Sequence, residues 1–101
     1  MFLYIETEMN NLKEISQILA ELDDARSIED FLLSILTENE SKNLASRWEI
    51  VKRIDQGISQ RKIASDLHLS LCKITRGSRV LKESNSILKK ILNKNRSVGK
   101  G

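Results

Sequence analysis

No proline occurs in the 101 residues, and apolar side chains recur every three to four positions along most of the chain. Proline is the residue that most reliably ends a helix, and a 3.6-residue apolar period marks a helix with one buried face. The chain is therefore expected to be all-α, with about six helices, in a single domain over residues 1–93. At this length the core is thin for a monomer. The single Cys72 cannot form an internal disulfide, and His68 is the only histidine. A zinc site or a histidine-based catalytic triad is thereby excluded, and no metal is expected. No nucleophile, base and orienting group cluster at a useful spacing, so an enzyme is not expected. No apolar run approaches the ~18 residues of a membrane span. Phe2-Leu3-Tyr4-Ile5 is too short for the core of a signal peptide, so no membrane contact and a cytoplasmic location are expected.

Local signals divide the chain further. A first helix is expected from about Asn10 to Asp24, with Leu12, Ile15, Leu19 and Leu22 on one face. Ser27, with Asp30 three residues on, reads as the cap of a short helix to about Leu36. That helix carries Ile28, Phe31, Leu32, Leu33, Ile35 and Leu36, an apolar surface wider than one stripe. Such a helix needs partners on more than one side, which points to a dimer. Thr37-Glu38-Asn39-Glu40 is a capping box opening a helix with Leu44, Trp48, Val51 and Ile54, and Gly57 is placed to end it. Trp48 reads as a core or interface residue. Ser59 and Ser70 are expected to cap two further helices, and Ile87, Leu88, Ile91 and Leu92 form the apolar side of a last segment after Ser84. Residues 94–101 are polar and basic, and read as a disordered tail.

Charge is unevenly distributed. Residues 1–45 hold ten acids and three bases, a net −7, whereas residues 46–101 hold four acids and fourteen bases, a net +10. A basic half in so short a chain suits a polyanionic partner. Within it, residues 59–82 have the spacing of a helix-turn-helix. Ile63, Ala64 and Leu67 face inward on the first helix, Leu69 plugs the turn, and Ile74 anchors the second. His68 stands where glycine is usual; histidine is among the residues enriched in left-handed backbone. Six bases (Arg61, Lys62, Lys73, Arg76, Arg79, Lys82) oppose one acid, Asp66, between Ser59 and Lys82. The amide ends of two capped helices add phosphate donors. Cys72, in the first turn of the second helix, reads as a polar contact with DNA or solvent.

Ile74-Thr75-Arg76-Gly77-Ser78 followed by Leu81-Lys82, inside a helix-turn-helix opening Ser59-Gln60-Arg61, resembles the Trp repressor family. Leu44-Ala45-Ser46-Arg47-Trp48-Glu49-Ile50-Val51 is similar to that family's long central helix, and Leu36-Thr37-Glu38-Asn39-Glu40 to the junction before it. The resemblance covers about Phe31 to Leu92. It implies an intertwined all-helical homodimer that represses transcription by binding operator double-stranded DNA, with L-tryptophan as corepressor. Arg47 and Arg76 take the roles of the two guanidinium groups that sandwich the indole, Arg76 also meeting the carboxylate. Leu36 and Thr37 fall at the helix junction that receives the amino and carboxyl groups, and Gly77 and Val80 complete the implied pocket. For DNA, the resemblance puts Leu71, Cys72 and Thr75 nearest the bases, with Ser59, Gln60, Arg61, Arg79 and Lys82 around them or at the backbone. Two positions depart from the pattern: Lys73 replaces a threonine and Val80 a serine. One lost hydrogen bond weakens binding by about 0.5–1.5 kcal/mol. Segment 55–59 is also one residue shorter than in familiar members. A regulator of the same build that answers to another ligand, or to none, is the alternative these departures support. A replication-initiator module shares the helix-turn-helix but normally sits on an ATPase, and this chain has no phosphate-binding loop.

Overall fold

The structure is a computed structural model; it describes residues 2–83 and 86–99, with side chains at 6–83 and 86–94. Six helices and no strand are present among the described residues, as the apolar period predicts: α1 Phe2–Glu21, α2 Ala25–Ile35, α3 Glu38–Asp55, α4 Gln60–Leu67, α5 Leu71–Lys82 and α6 Ile87–Gly99. They fall into two compact units, residues 1–41 and 42–101, where the sequence suggests one domain through residue 93.

In the first unit α1 begins well before Asn10, because no proline or glycine interrupts the chain after Phe2. It ends at Glu21, not Asp24, because Asp24 is used to start α2. The Asp24 carboxylate accepts the Ser27 amide at 3.1 Å and the Ser27 hydroxyl at 2.7 Å. Asp24 rather than Ser27 is therefore the cap, and these bonds hold its carboxyl below the usual carboxylate range. An anionic acceptor also suits the positive end of the helix dipole better than a hydroxyl. Asp30, expected in a capping box, instead offers its backbone carbonyl to the Ser34 hydroxyl. Ile15, Leu19 and Leu22 are half-buried as the period requires, but Leu12 is 64% exposed. No residue of α2 is buried, despite its five large apolar side chains.

The capping box at the start of α3 is formed. The Glu40 amide donates to the Thr37 hydroxyl at 3.1 Å, and the Thr37 amide donates to the Glu40 carboxylate at 2.8 Å. That pair lowers the Glu40 carboxyl from its ordinary value. Hydrogen-bonded ion pairs with Arg53 and then Lys52 act likewise on Glu49. α3 closes at Gly57, whose φ of 87° takes the left-handed turn, and Ile58 donates back to Arg53 at 3.1 Å.

The second unit packs around two apolar clusters. Ile50, Ile63 and Ile74 form one, with Ile54, Ile58, Ala64, Leu67 and Leu69 against them. Every inward position expected of the α4–α5 pair is thus in this cluster. Val51, Leu81 and Leu92 form the other, flanked by Trp48 and Leu88. Complete burial of one isoleucine contributes about 1.5–3 kcal/mol. Ser59 caps α4 by accepting the Lys62 amide at 3.2 Å, whereas Ser70 has cap backbone geometry without a side-chain bond. His68 is left-handed, at φ 55° and ψ 43°, and Leu69 donates to the Ala64 carbonyl at 3.0 Å across it. Arg53 reaches Asp66 at 3.6 Å and so bridges α3 to α4.

α6 departs from expectation in three ways. Ser86 supplies its cap, accepting the Lys89 amide at 3.4 Å, and Ser84 lies outside the described residues. Leu92 and Leu88 turn inward, while Ile87 and Ile91 are exposed. The helix also continues past Lys94 to Gly99, where a disordered tail is expected, because no glycine or proline precedes Gly99 to stop it.

Two predictions follow from these helix ends. A non-glycine residue in left-handed backbone is strained by roughly 1 kcal/mol, so His68→Gly is expected to stabilise the protein by about 0.5–1 kcal/mol in urea denaturation; an unchanged midpoint would contradict the strain. For Glu40, a folded-state pKa below the unfolded one means stability present above the usual glutamate value, about 4.3, and lost as pH falls through the lowered one. Glu40→Gln is therefore expected to make the loss of melting temperature between about pH 5 and about pH 3 shallower, as followed by thermal melts across that range.

Candidate nucleic-acid interface and ligand pocket

α5 is a helix with three faces. Ile74, Ser78 and Leu81 are buried. Lys73, Arg76, Gly77 and Val80, spaced i, i+3, i+4 and i+7, line one wall of a cavity of about 450 Å³. Asn43, Ser46, Arg47 and Ile50 repeat that spacing on α3 and form the facing wall; Val51 and Leu88 complete it. On the remaining side Leu71, Cys72, Thr75 and Arg79 line an open depression on the surface, with Arg76 at its edge. Arg76 thus borders both the cavity and the outer face.

The position of α5 on α3 depends on Gly77. A Cβ built there would meet Ile50 Cγ2 at 2.9 Å and Ile54 Cδ1 at 3.7 Å. Real side chains do not tolerate the first distance, so with any larger residue either the Ile50 side chain or the helix must shift. The cavity volume lies within the range of small-molecule sites. Its base is apolar and its walls carry three cations, Arg47, Lys73 and Arg76.

Arg47, Arg76, Gly77 and Val80 from the implied pocket are therefore brought together. Leu36 and Thr37 belong to the first unit, at the α2–α3 junction, and the cavity is built from residues 43–88. Lys73, Asn43 and Ser46 are lining residues outside the implied set. The i, i+3, i+4 register from Arg47 and Arg76 points to them once those two are chosen.

The implied DNA residues divide by environment. Leu71, Cys72, Thr75 and Arg79 share the outer face of α5, and Leu71 is 47% exposed. Gln60, at the start of α4, has its amide oxygen 3.0 Å from the Thr75 hydroxyl. That hydroxyl also lies 3.0 Å from the Leu71 carbonyl, and its single proton serves one acceptor at a time. Ser59 has its side chain occupied in capping α4. Arg61 and Lys82 are exposed at opposite ends of the α4–α5 pair.

Helix-end electrostatics set this pair apart from α3. In α3 the first turn is acidic (Glu38, Glu40) and the last is basic (Lys52, Arg53), matching the helix dipole. The first turns of α4 and α5 hold no acid, and they carry Arg61, Lys62 and Lys73. Cations at a helix N-terminus cost a few tenths of a kcal/mol, roughly 0.3–1 each, unless an anion sits there.

The Trp repressor protein family model matches residues 10–96. The chain belongs to the Trp repressor family. A Trp operon repressor homolog of Chlamydia trachomatis serovar L2 is 32% identical over 78 residues, 76% of this chain and 83% of the relative. Another, from Chlamydia caviae, is 31% identical over 96 residues, covering 93% of this chain and 95% of its own. One from Haemophilus influenzae is 31% identical over 81 residues, 79% and 80% of the two chains. No solved structure gives a significant match. The family is one of transcription repressors, and no helix among the described residues is long and apolar enough to cross a membrane.

Gly77→Ala tests the close approach. Overpacking costs about 1–3 kcal/mol, more than the ~1 kcal/mol that alanine gains in helix propensity. The variant is expected to melt at a lower temperature than the parent; an equal or higher melting temperature would show that α5 can shift at no cost.

Proposed function

We propose that this protein is a DNA-binding transcriptional repressor that acts as a homodimer and takes L-tryptophan as corepressor. The observation that carries the reading is that α5 presents a cation-lined cavity on one face and an exposed, base-rich surface on another. In this reading α4 and α5 are a helix-turn-helix, and α5 is the helix that enters the major groove. Leu71, Cys72 and Thr75 approach the base edges, while Gln60, Arg61, Arg79 and Lys82 hold phosphates. The acid-free first turns of α4 and α5 support this, since a phosphate there removes the dipole penalty. The unburied apolar surface of α2 supports the dimer, because exposed apolar patches of that kind mark interfaces.

A free amino acid with an aromatic side chain needs a cation for its carboxylate and an apolar slot for its ring. Arg76 supplies the first; the guanidinium planes of Arg47 and Arg76, with Ile50, Val51 and Leu88, supply the second. Leu36 and Thr37 remain the residues proposed for the ligand's polar groups at the helix junction. In helix-turn-helix dimers the two recognition helices must lie about 34 Å apart to enter successive major grooves. A ligand wedged between α3 and α5 sets the angle of α5 and hence that spacing. The second reading, a regulator of the same build answering to another ligand or none, is favoured by Lys73 and Val80 on the cavity wall.

Gel-shift titration of a palindromic operator separates the two. Affinity is expected to rise at least about fivefold with L-tryptophan and not with L-leucine, the lower range of typical allosteric coupling. Arg76→Ala is expected to lose the tryptophan response while keeping its helical content. Equal operator affinity with and without tryptophan would leave the second reading standing.

A further inference from the structure

One side-chain contact between α4 and α5 belongs to neither apolar cluster and to neither helix cap. The Thr75 hydroxyl, in the second turn of α5, lies 3.0 Å from the Gln60 amide oxygen at the first position of α4. It lies 3.0 Å from the Leu71 carbonyl of its own helix as well. A hydroxyl has one proton and can also accept, whereas a primary amide donates at one end and accepts at the other. With two acceptors inside the protein, the Thr75 proton is not left for a base edge. Thr75 is exposed and Gln60 half-buried. The two N–H donors of the Gln60 amide meet no acceptor among the described residues.

The place of that proton decides which end of Gln60 is offered to a ligand. When Thr75 donates to the amide oxygen, the nitrogen and its two donors are turned away from Thr75. When the proton goes to Leu71, the hydroxyl can only accept, and its partner becomes the amide nitrogen, which turns the oxygen away. Phosphate oxygens accept and do not donate, so they bind the first arrangement and are repelled by the second. Arg61 and Lys62, next along α4, draw a phosphate to this place. We propose that Thr75 is a positioning residue for phosphate binding: its hydroxyl holds the Gln60 amide with the nitrogen free to donate to the DNA backbone. The inference rests on the reading of α4 and α5 as a DNA-binding pair, and gives Thr75 a task that base contact does not. Without the hydroxyl the amide turns freely, and ordering it on binding costs affinity.

Gel-shift titration of the full chain tests this on two duplexes, an operator that the parent selects from a randomised pool and one of random sequence. The proteins compared are the parent, Thr75→Val, Thr75→Ser, Gln60→Ala and the double variant Thr75→Val with Gln60→Ala. Valine keeps the shape of threonine and removes the hydroxyl; serine keeps the hydroxyl. Thr75→Val and Gln60→Ala are each expected to weaken binding by about fivefold, the effect of one hydrogen bond. The double variant is expected to bind as Gln60→Ala does, and Thr75→Ser as the parent does. A phosphate carries no sequence information, so the loss is expected to be the same on both duplexes. Thr75 is exposed, and its variants are expected to keep the parent's helical content. Parent affinity in Thr75→Val, or losses that multiply to about 25-fold in the double variant, overturns the inference. So does a loss confined to the operator, which makes Thr75 a reader of bases in its own right. A parent that binds neither duplex overturns the DNA-binding reading and the inference together.

Discussion

The approach of α5 to α3 at Gly77 is the constraint on which the second unit depends. With no side chain at that position, Ile50 comes within 2.9 Å of where a Cβ would be. The two helices then meet closely enough for Ile50, Ile63 and Ile74 to form one cluster. A helix is rigid over twelve residues, so fixing one of its faces fixes the others. Burial of Ile74, Ser78 and Leu81 determines that Lys73, Arg76 and Val80 look into the cavity and that Leu71, Cys72, Thr75 and Arg79 look out. One missing methyl group thus governs both chemical surfaces.

Several local choices run against stability. α4 and α5 open with cations where an anion is favoured, His68 takes a backbone conformation suited to glycine, and α2 exposes the apolar residues Leu33 and Ile35 by more than half. Conflicts between local preference and fold concentrate where a sequence serves something besides folding. The two ends of α3, with their capping box, dipole-matched charges and terminal glycine, agree with local preference throughout. In the proposed homodimer the conflicts at α2 are relieved by the partner, and those at α4 and α5 by phosphate.

Much of this was legible in the residues themselves. The inward positions Ile63, Ala64, Leu67, Leu69 and Ile74 follow from spacing, and Thr37–Glu40, Ser59 and Gly57 follow from cap chemistry. The first cap of α2 did not, because Ser27 and Asp24 both fit a cap and only the three-dimensional bond between them decides which one serves. The extent of α6 past Lys94 was hidden because polarity suggests disorder, while a proline-free, glycine-free segment can continue a helix already started. Among the cavity residues, the resemblance carried Arg47, Arg76, Gly77 and Val80. Lys73 was visible only as a departure from the pattern, since nothing in a one-dimensional charge count separates a cation facing a cavity from one facing solvent.

The shared position of Arg76 limits how ligand and DNA can be coupled in the proposed mechanism. A guanidinium has five N–H donors on two edges, so Arg76 can meet an anion in the cavity and a phosphate outside together only when different edges face the two sites. In that arrangement both anions favour one side-chain position and couple positively; where a single edge must serve both, they compete. A division of labour, with Arg76 on the ligand and Arg79, Arg61 and Lys82 on the phosphates, avoids that competition. The coupling free energy must then reside in the placement of α5, which the ligand favours only to the extent that it binds the DNA-competent arrangement more tightly. By reciprocity operator DNA tightens the ligand by the same factor.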